Sequence, residues 1–124
     1  MAKFVIKPSG AGFSFSLKAG NGQVIATSQT YKTLATCKKG IASVQRTAPV
    51  APIENQTEED FAVEKNPKFE VYNDKAGKAR FRLKASNGQI IVTGQAYKSL
   101  KSCLNGIESI KKNAPVAEIE TLEE

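Results

Sequence analysis

Phe15, Leu17 and Ala19 alternate with Ser14, Ser16 and Lys18, and later in the chain Phe81, Leu83 and Ala85 alternate with Arg80, Arg82 and Lys84. A period of two marks a strand with one buried and one wet face. Each run leads into Asn-Gly, at Asn21-Gly22 and Asn87-Gly88. These residues tolerate the positive φ of a type I′ turn, so each strand is predicted to fold back as a hairpin onto residues 24–27 or 90–93. An opening strand lies ahead of the looser turns Pro8-Ser9-Gly10-Ala11-Gly12 and Asn73-Asp74-Lys75-Ala76-Gly77, giving three strands in each half. The period then lengthens. Leu34, Cys37, Ile41, Val44 and Ala48 recur at helical spacing, as do Leu100, Cys103, Leu104, Ile107, Ile110 and Ala114, with Thr33 and Ser99 placed as N-caps. Pro49 and Pro115 end these helices, and residues 50–54 and 116–120 read as extended. Gly40 and Gly106 stand inside the helices, where Gly costs about 1 kcal/mol relative to Ala, which predicts a close approach of the helix backbone to the sheet.

The two β-β-β-α-β halves are copies of one unit. Phe15 lies over Phe81, Asn21-Gly22 over Asn87-Gly88, Tyr31-Lys32 over Tyr97-Lys98, Cys37 over Cys103 and Ala48-Pro49-Val50-Ala51 over Ala114-Pro115-Val116-Ala117, at a constant offset. Upstream, Phe4 matches Phe69 and Gly12 matches Gly77 only with one residue inserted near Lys78, which puts the length difference in a turn. The organisation is therefore a first repeat at 1–56, an acidic connector at 57–67 and a second repeat at 68–124. A unit of this size buries too little surface to stand alone, so the two are expected to share one core as a single structural domain.

The segments 69–77, 80–89 and 105–114 of the second copy, with the turn, the Asn-Gly hairpin, the capped helix and Asn105-Gly106-Ile107 in order, closely resemble the YegP-like family of small bacterial proteins. The likeness covers both repeats. The first copy departs from it where Ser14 and Ser16 replace arginine positions and where Lys38-Lys39, not Leu104-Asn105, precede the helical glycine. The resemblance implies an α+β fold in which two pseudo-twofold related β-β-β-α-β repeats form one mainly antiparallel sheet. By the same resemblance two helices would pack on one face, and the C-terminal strands would be swapped between repeats. Residues 50–54 would then pair with the second repeat and 116–120 with the first. It implies no activity.

Composition bears on chemistry more than on fold. The chain has no His and no Trp, so the commonest general base and metal ligand is missing and no enzyme is expected. No metal and no cofactor are expected either. Cys37 and Cys103 lie on the apolar helical face without a C-x-x-C spacing, which reads as buried packing in preference to a redox pair. Glu58, Glu59, Asp60 and Glu64 cluster in the connector but lack the alternation and turn glycine of an EF-hand, and read as a solvated linker. The glycines at 10, 12, 20 and 22 precede strands, not a helix N-terminus, so they form no phosphate cradle. Tyr31 and Tyr97 read as staples of the helix entry onto the sheet, with base stacking as the alternative.

The longest apolar runs, such as Ile90-Ile91-Val92, are far short of a membrane span, and the start of the chain lacks a signal-peptide apolar region, so a cytoplasmic protein is expected, with no membrane role. Net charge is +6, and residues 1–56 hold seven Lys/Arg against the single acid Glu54. A basic balance favours anionic partners. By the period-two rule Arg80, Arg82 and Lys84 project together from the polar side of their strand, and with Lys18, Lys32 and Lys98 they form the candidate anion-binding set. Glu70, across the sheet, is positioned to neutralise part of it. Phe81 falls on the buried side, so this face lacks the aromatics that single-strand stacking needs. The expected function is a non-enzymatic binding module, monomeric because the tandem repeat supplies both halves. It would contact nucleic acid or another polyanion through a basic sheet face. The alternative is a protein-interaction or accessory module with no nucleic-acid role.

Overall fold

The structure, a computed structural model, describes residues 2–122. Strands β1 (Lys3–Ser9), β2 (Gly12–Lys18) and β3 (Val24–Ser28) lead into helix α1 (Leu34–Thr47) and strand β4 (Ile53–Asn55). The second repeat runs β5 (Lys68–Asn73), β6 (Ala79–Lys84), β7 (Ile90–Thr93), α2 (Leu100–Asn113), a 3-10 turn at Ala114–Val116, and β8 (Glu118–Thr121). All eight strands form one sheet in the order β4-β5-β6-β7-β3-β2-β1-β8. Every pair inside it is antiparallel except at the two margins, where β4 lies parallel to β5 and β8 parallel to β1. Each closing strand thus borders the opening strand of the other repeat, which is the exchange expected from the family likeness.

Thr33 and Ser99 cap the helices. Thr33 Oγ1 accepts from the Thr36 N–H at 3.1 Å while the Thr33 N–H donates to Thr36 Oγ1 at 3.4 Å, a reciprocal capping box. Ser99 Oγ accepts from the Ser102 N–H at 3.1 Å. The apolar stripes Cys37-Ile41-Val44 and Cys103-Ile107-Ile110 are buried against the same side of the sheet. There they meet Phe4, Ile6, Phe15 and Leu17 from one repeat and Phe69, Val71, Phe81 and Leu83 from the other in one continuous core. Each α-helix touches strands of both repeats, α1 on β2 and β7, α2 on β6 and β3. Phe4 meets Phe15 edge to face with ring centres 5.8 Å apart, and their counterparts Phe69 and Phe81 do so at 6.1 Å. Fully burying each such ring contributes roughly 1.5–3 kcal/mol.

Three local expectations are corrected. The Asn-Gly turns are not type I′. Gly22 and Gly88 have positive φ (86° and 84°), but among the described residues none other than glycine does, so Asn21 and Asn87 stay on the ordinary side. Gly22 N–H donates to the Ala19 carbonyl at 2.9 Å, and Asn21 Oδ1 accepts the Gln23 N–H at 3.0 Å. The result is a three-residue hairpin loop with a glycine bulge, to which the asparagine contributes a side-chain bond. Gly40 approaches the sheet through the Phe15 ring, 3.2 Å from where a Cβ would stand, but its tightest neighbour is another group. A Cβ there would fall on the Tyr31 hydroxyl, and on Gly106 it would fall on the Tyr97 hydroxyl, so each glycine makes room for the tyrosine that enters its own helix. Finally, the chain extends later than residues 50 and 116. Thr47 O still accepts from the Val50 and Ala51 N–H groups, and Pro115 sits inside the 3-10 turn, so the strands begin only at Ile53 and Glu118. The inserted residue lies in the turn between Asn73 and Ala79, as the repeat alignment requires.

Candidate functional site

One row of side chains crosses the whole outer face of the sheet, the face away from the helices. In register it reads Glu120, Val5, Ser16, Thr27, Thr93, Arg82, Glu70, Glu54. Its midpoint falls between Thr27 and Thr93, which are repeat counterparts. To one side its inner places are neutral, with Val5 and Ser16; to the other, Glu70 and Arg82 occupy the corresponding places.

Those charges are spent on each other. Arg80, Arg82 and Lys84 do project together, but Arg82 Nε donates to Glu70 Oε1 at 2.6 Å and Lys84 Nζ lies 3.3 Å from the same oxygen. Arg80 Nε donates to Asp74 at 2.9 Å. The Arg82 guanidinium also covers the Tyr72 ring at 4.6 Å. Beyond them Lys68 Nζ donates to Glu54 Oε1 at 2.8 Å and sits 3.3 Å from Glu70 Oε2. Lys68, Glu70 and Glu54 are all buried, which breaks the alternation expected of β5. The connector and the residue just before it supply the remaining partners. The Glu64 N–H donates to Glu54 Oε1 at 2.8 Å and Gln56 Nε2 donates to Oε2 at 2.6 Å, so this segment is tied to the sheet and is not a free linker, while Glu58, Glu59 and Asp60 stay exposed.

The electrostatics follow from burial opposed by partners. Burial alone would raise the Glu54 carboxyl, but the bonds from Lys68, Gln56 and the Glu64 N–H, with the lysine charge, bring it down to about 2. Glu70 is held below its usual range in the same way, burial being outweighed by Arg82, Lys84 and Lys68. Lys68 is raised, chiefly by its bond to Glu54. This buried, satisfied network sets four cations, Lys68, Arg80, Arg82 and Lys84, against three acids, Glu54, Glu70 and Asp74, so most of the sheet's positive charge is paired internally.

The other sequence-selected cations fall elsewhere. Lys18 stands in β2 across from Lys3, which reaches Glu120 at 3.2 Å, the exposed counterpart of the Lys68–Glu54 pair. Lys32 and Lys98 are exposed at the entries to α1 and α2, on the helix side. That side carries further cations, while on the sheet Lys7 and Lys18 also lack an ion-pair partner among the described residues. Lys38, Lys39 and Arg46 are exposed on α1, which has no acid at all, and Lys101 and Lys112 on α2, whose one acid is Glu108. None of these seven cations has an ion-pair partner among the described residues. The signal was present in the sequence: the polar positions of α1 between Cys37 and Ala48 contain bases and no acid.

Tyr31 and Tyr97 are covered staples. Tyr31 stacks on Phe15 at 6.2 Å and Tyr97 on Phe81 at 6.2 Å, and burial raises both hydroxyls. Cys37 and Cys103 are free and fully buried, and burial lifts the Cys103 thiol to about 11. Among the described residues no helix is long and apolar enough to cross a membrane.

This geometry defines a tandem β3-α-β protein closed by marginal parallel strands. A family model described as a domain of unknown function (DUF1508) matches residues 9–55 and again residues 74–120, and the chain belongs to that family. It is 38% identical over 114 residues to a UPF0339 protein of Bordetella pertussis, covering 92% of this chain and 89% of that protein. It is 61% identical over 56 residues to a UPF0339 protein of Methanosarcina acetivorans, 45% of this chain but 97% of that one. The family is therefore not confined to bacteria, and some members are a single repeat long. The solution NMR structure of the E. coli protein of unknown function yegP superposes with a TM-score of 0.77 at 35% identity, covering 97% of this chain and 91% of that chain.

Proposed function

We propose that this chain is a non-enzymatic binding module that meets a polyanion through its helix layer. The observation that carries the reading is the sorting of charge by the fold: seven exposed cations without an ion-pair partner among the described residues stand against Glu108 on the helix side, while the sheet side pairs Arg80 and Arg82 internally and leaves only Lys7 and Lys18. Nucleic acid is the partner class this surface fits. No Phe or Trp stands among the cations and both helix-entry tyrosines are stacked inward, so contacts would go to phosphates and carry little base selectivity. The tandem repeat completes the sheet within one chain, so a single copy is taken as the binding unit.

Titration of the 15N-labelled chain with an oligonucleotide duplex at two ionic strengths tests this. Amide shifts are expected around Lys32, Lys38, Lys98 and Lys101, weakening steeply with salt, and the double reversal Lys38→Glu, Lys101→Glu should remove most of the response. Unchanged spectra at low salt would end the reading, and so would shifts confined to Arg80, Arg82 and Lys84. A stoichiometric protein partner that resists nuclease would favour the accessory-module alternative.

A further inference from the structure

A groove of about 430 Å³ runs between α1 and the β6–β7 hairpin, built from both repeats. Its helix wall is the stripe Thr36, Lys39 and Ser43, its other wall is the Asn87 turn with Ile90 and Ile91, and Gln29 and Tyr31 line it as well. The volume falls in the range of small-molecule sites. Its lining holds one cation, several hydroxyl and amide groups, an apolar strip and no acid.

The pseudo-twofold provides an internal comparison. At the corresponding place between α2 and the first hairpin, Gln95 Nε2 donates to the Val24 carbonyl at 2.6 Å and bridges helix entry to hairpin. Gln29, the counterpart of Gln95, makes no such bond to Ile90, so this side is left unbridged, and its side chain interacts with the Tyr31 hydroxyl. Lys39 also stands where α2 has Asn105. The repeats therefore differ at this place in two coupled ways: the bridge is absent, and a cation is added on the wall beside it. Tyr31, whose hydroxyl lies under Gly40, adds a donor, since burial keeps it protonated.

The geometry points to a binding site for a small hydroxylated organic anion, its charged group on Lys39, its hydroxyls toward Gln29, Tyr31 and Ser43, and its carbon edge on Ile90. A carboxylate of a hydroxy acid and the phosphate of a sugar ester share this chemistry. An anion gains here because neither α1 nor the groove wall contains a carboxylate to repel it.

The test is 15N chemical-shift titration of the whole chain with gluconate, with glucose 6-phosphate and with neutral glucose, each to about 10 mM, the weak-binding regime. Saturable shifts are expected at Lys39, Ser43, Asn87 and Ile90 with one or both anions and not with glucose; which anion saturates first distinguishes carboxylate from phosphate. Lys39→Asn, the second repeat's own residue at an exposed position, should weaken binding by at least about tenfold with an otherwise unchanged spectrum. No saturable shift with either anion overturns the proposal, as do shifts with glucose alone or an unaltered affinity in Lys39→Asn. The polyanion reading is told apart by its shifts at Lys98 and Lys101 of α2, which lie outside this groove and which the small anions leave unmoved.

Discussion

Thr27 and Thr93 face each other across the strand pair where the two repeats meet, and each is the other's counterpart in the repeat. Only one further pair, Ser28 with Val92, extends this contact. So narrow a join cannot by itself hold two halves together. The exchanged margins β4 and β8 and the common core do that, with Lys111 of α2 donating to the Ala48 carbonyl of the first repeat at 3.1 Å. In the reverse sense Gln45 of α1 donates to the Ala117 carbonyl at 3.5 Å.

Next to the join the repeats differ in a testable way. A Cβ on Gly94 would fall inside the Phe81 ring, which is fully buried, whereas its counterpart Ser28 carries a side chain that accepts the Phe15 N–H at 2.9 Å. Gly94→Ala overpacks a rigid core and should cost on the order of 2–3 kcal/mol. Ser28→Ala loses one hydrogen bond and should cost about 1 kcal/mol. Urea denaturation of the two variants measures both, and equal losses would contradict the assignment.

The margins supply a second matched pair. Lys68→Met strands the buried Glu54 and weakens the hold on Glu70, and should destabilise by about 3 kcal/mol. Lys3→Met removes the equivalent contact with Glu120, where both side chains are nearly half exposed (43% and 47%), and should cost at most about 0.5 kcal/mol. Thermal or chemical unfolding reads the difference, and the same experiment in high salt should reduce only the Lys3 effect.

How much of this was legible beforehand depends on the range of the interaction. The helices were, because Thr33 and Ser99 cap them locally and Cys37-Ile41-Val44 repeats within a few turns. The strands and the doubling were, since Phe15-Leu17 and Phe81-Leu83 carry both period and copy. The fate of Arg82 was only half legible. Alternation gave its face and even named Glu70 as a neighbour, but that Glu70 is also buried beside Lys68 depends on β4 leaving its own repeat and on the connector turning back to place Glu64 over Glu54. Likewise Gly40 advertised a close approach, yet a sequence does not say that the approaching group is a side chain from its own helix entry, Tyr31. Helix charge is visible in the sequence too, but three cations alternating in one strand form a more conspicuous pattern than Lys38, Lys39 and Arg46 spread around a helix.

The thiols give a third prediction. Cys37 and Cys103 are fully buried and burial raises both, so neither offers a thiolate near neutral pH. Alkylation of the native chain at pH 8, followed by mass spectrometry, should proceed only as fast as the protein opens, and both sites should react at once in denaturant. Rapid labelling of one cysteine in native buffer would show that its helix frays locally.

Acid stability should be set by Glu54. Its carboxyl has an ordinary value of 4.5 and lies at about 2 in the fold. Between those values the unfolded chain binds a proton that the native chain refuses, so stability is fully present above about pH 4.5 and falls as the pH drops toward 2. Glu70 and Asp74 are also lowered and act in the same direction. Lys68 has the opposite sense: its raised value contributes fully below the ordinary 10.5 and is lost only in stronger alkali, so it does not shape the acid limb. Glu54→Gln removes the titrating group and leaves Lys68 with Glu70 alone. That variant should be less stable at neutral pH, show a shallower decline in melting temperature below about pH 4.5, and converge on the wild type near pH 2, where the native carboxyl takes up its proton. Parallel acid limbs in the two proteins would place the acid-sensitive group elsewhere and remove Glu54 from the centre of the network.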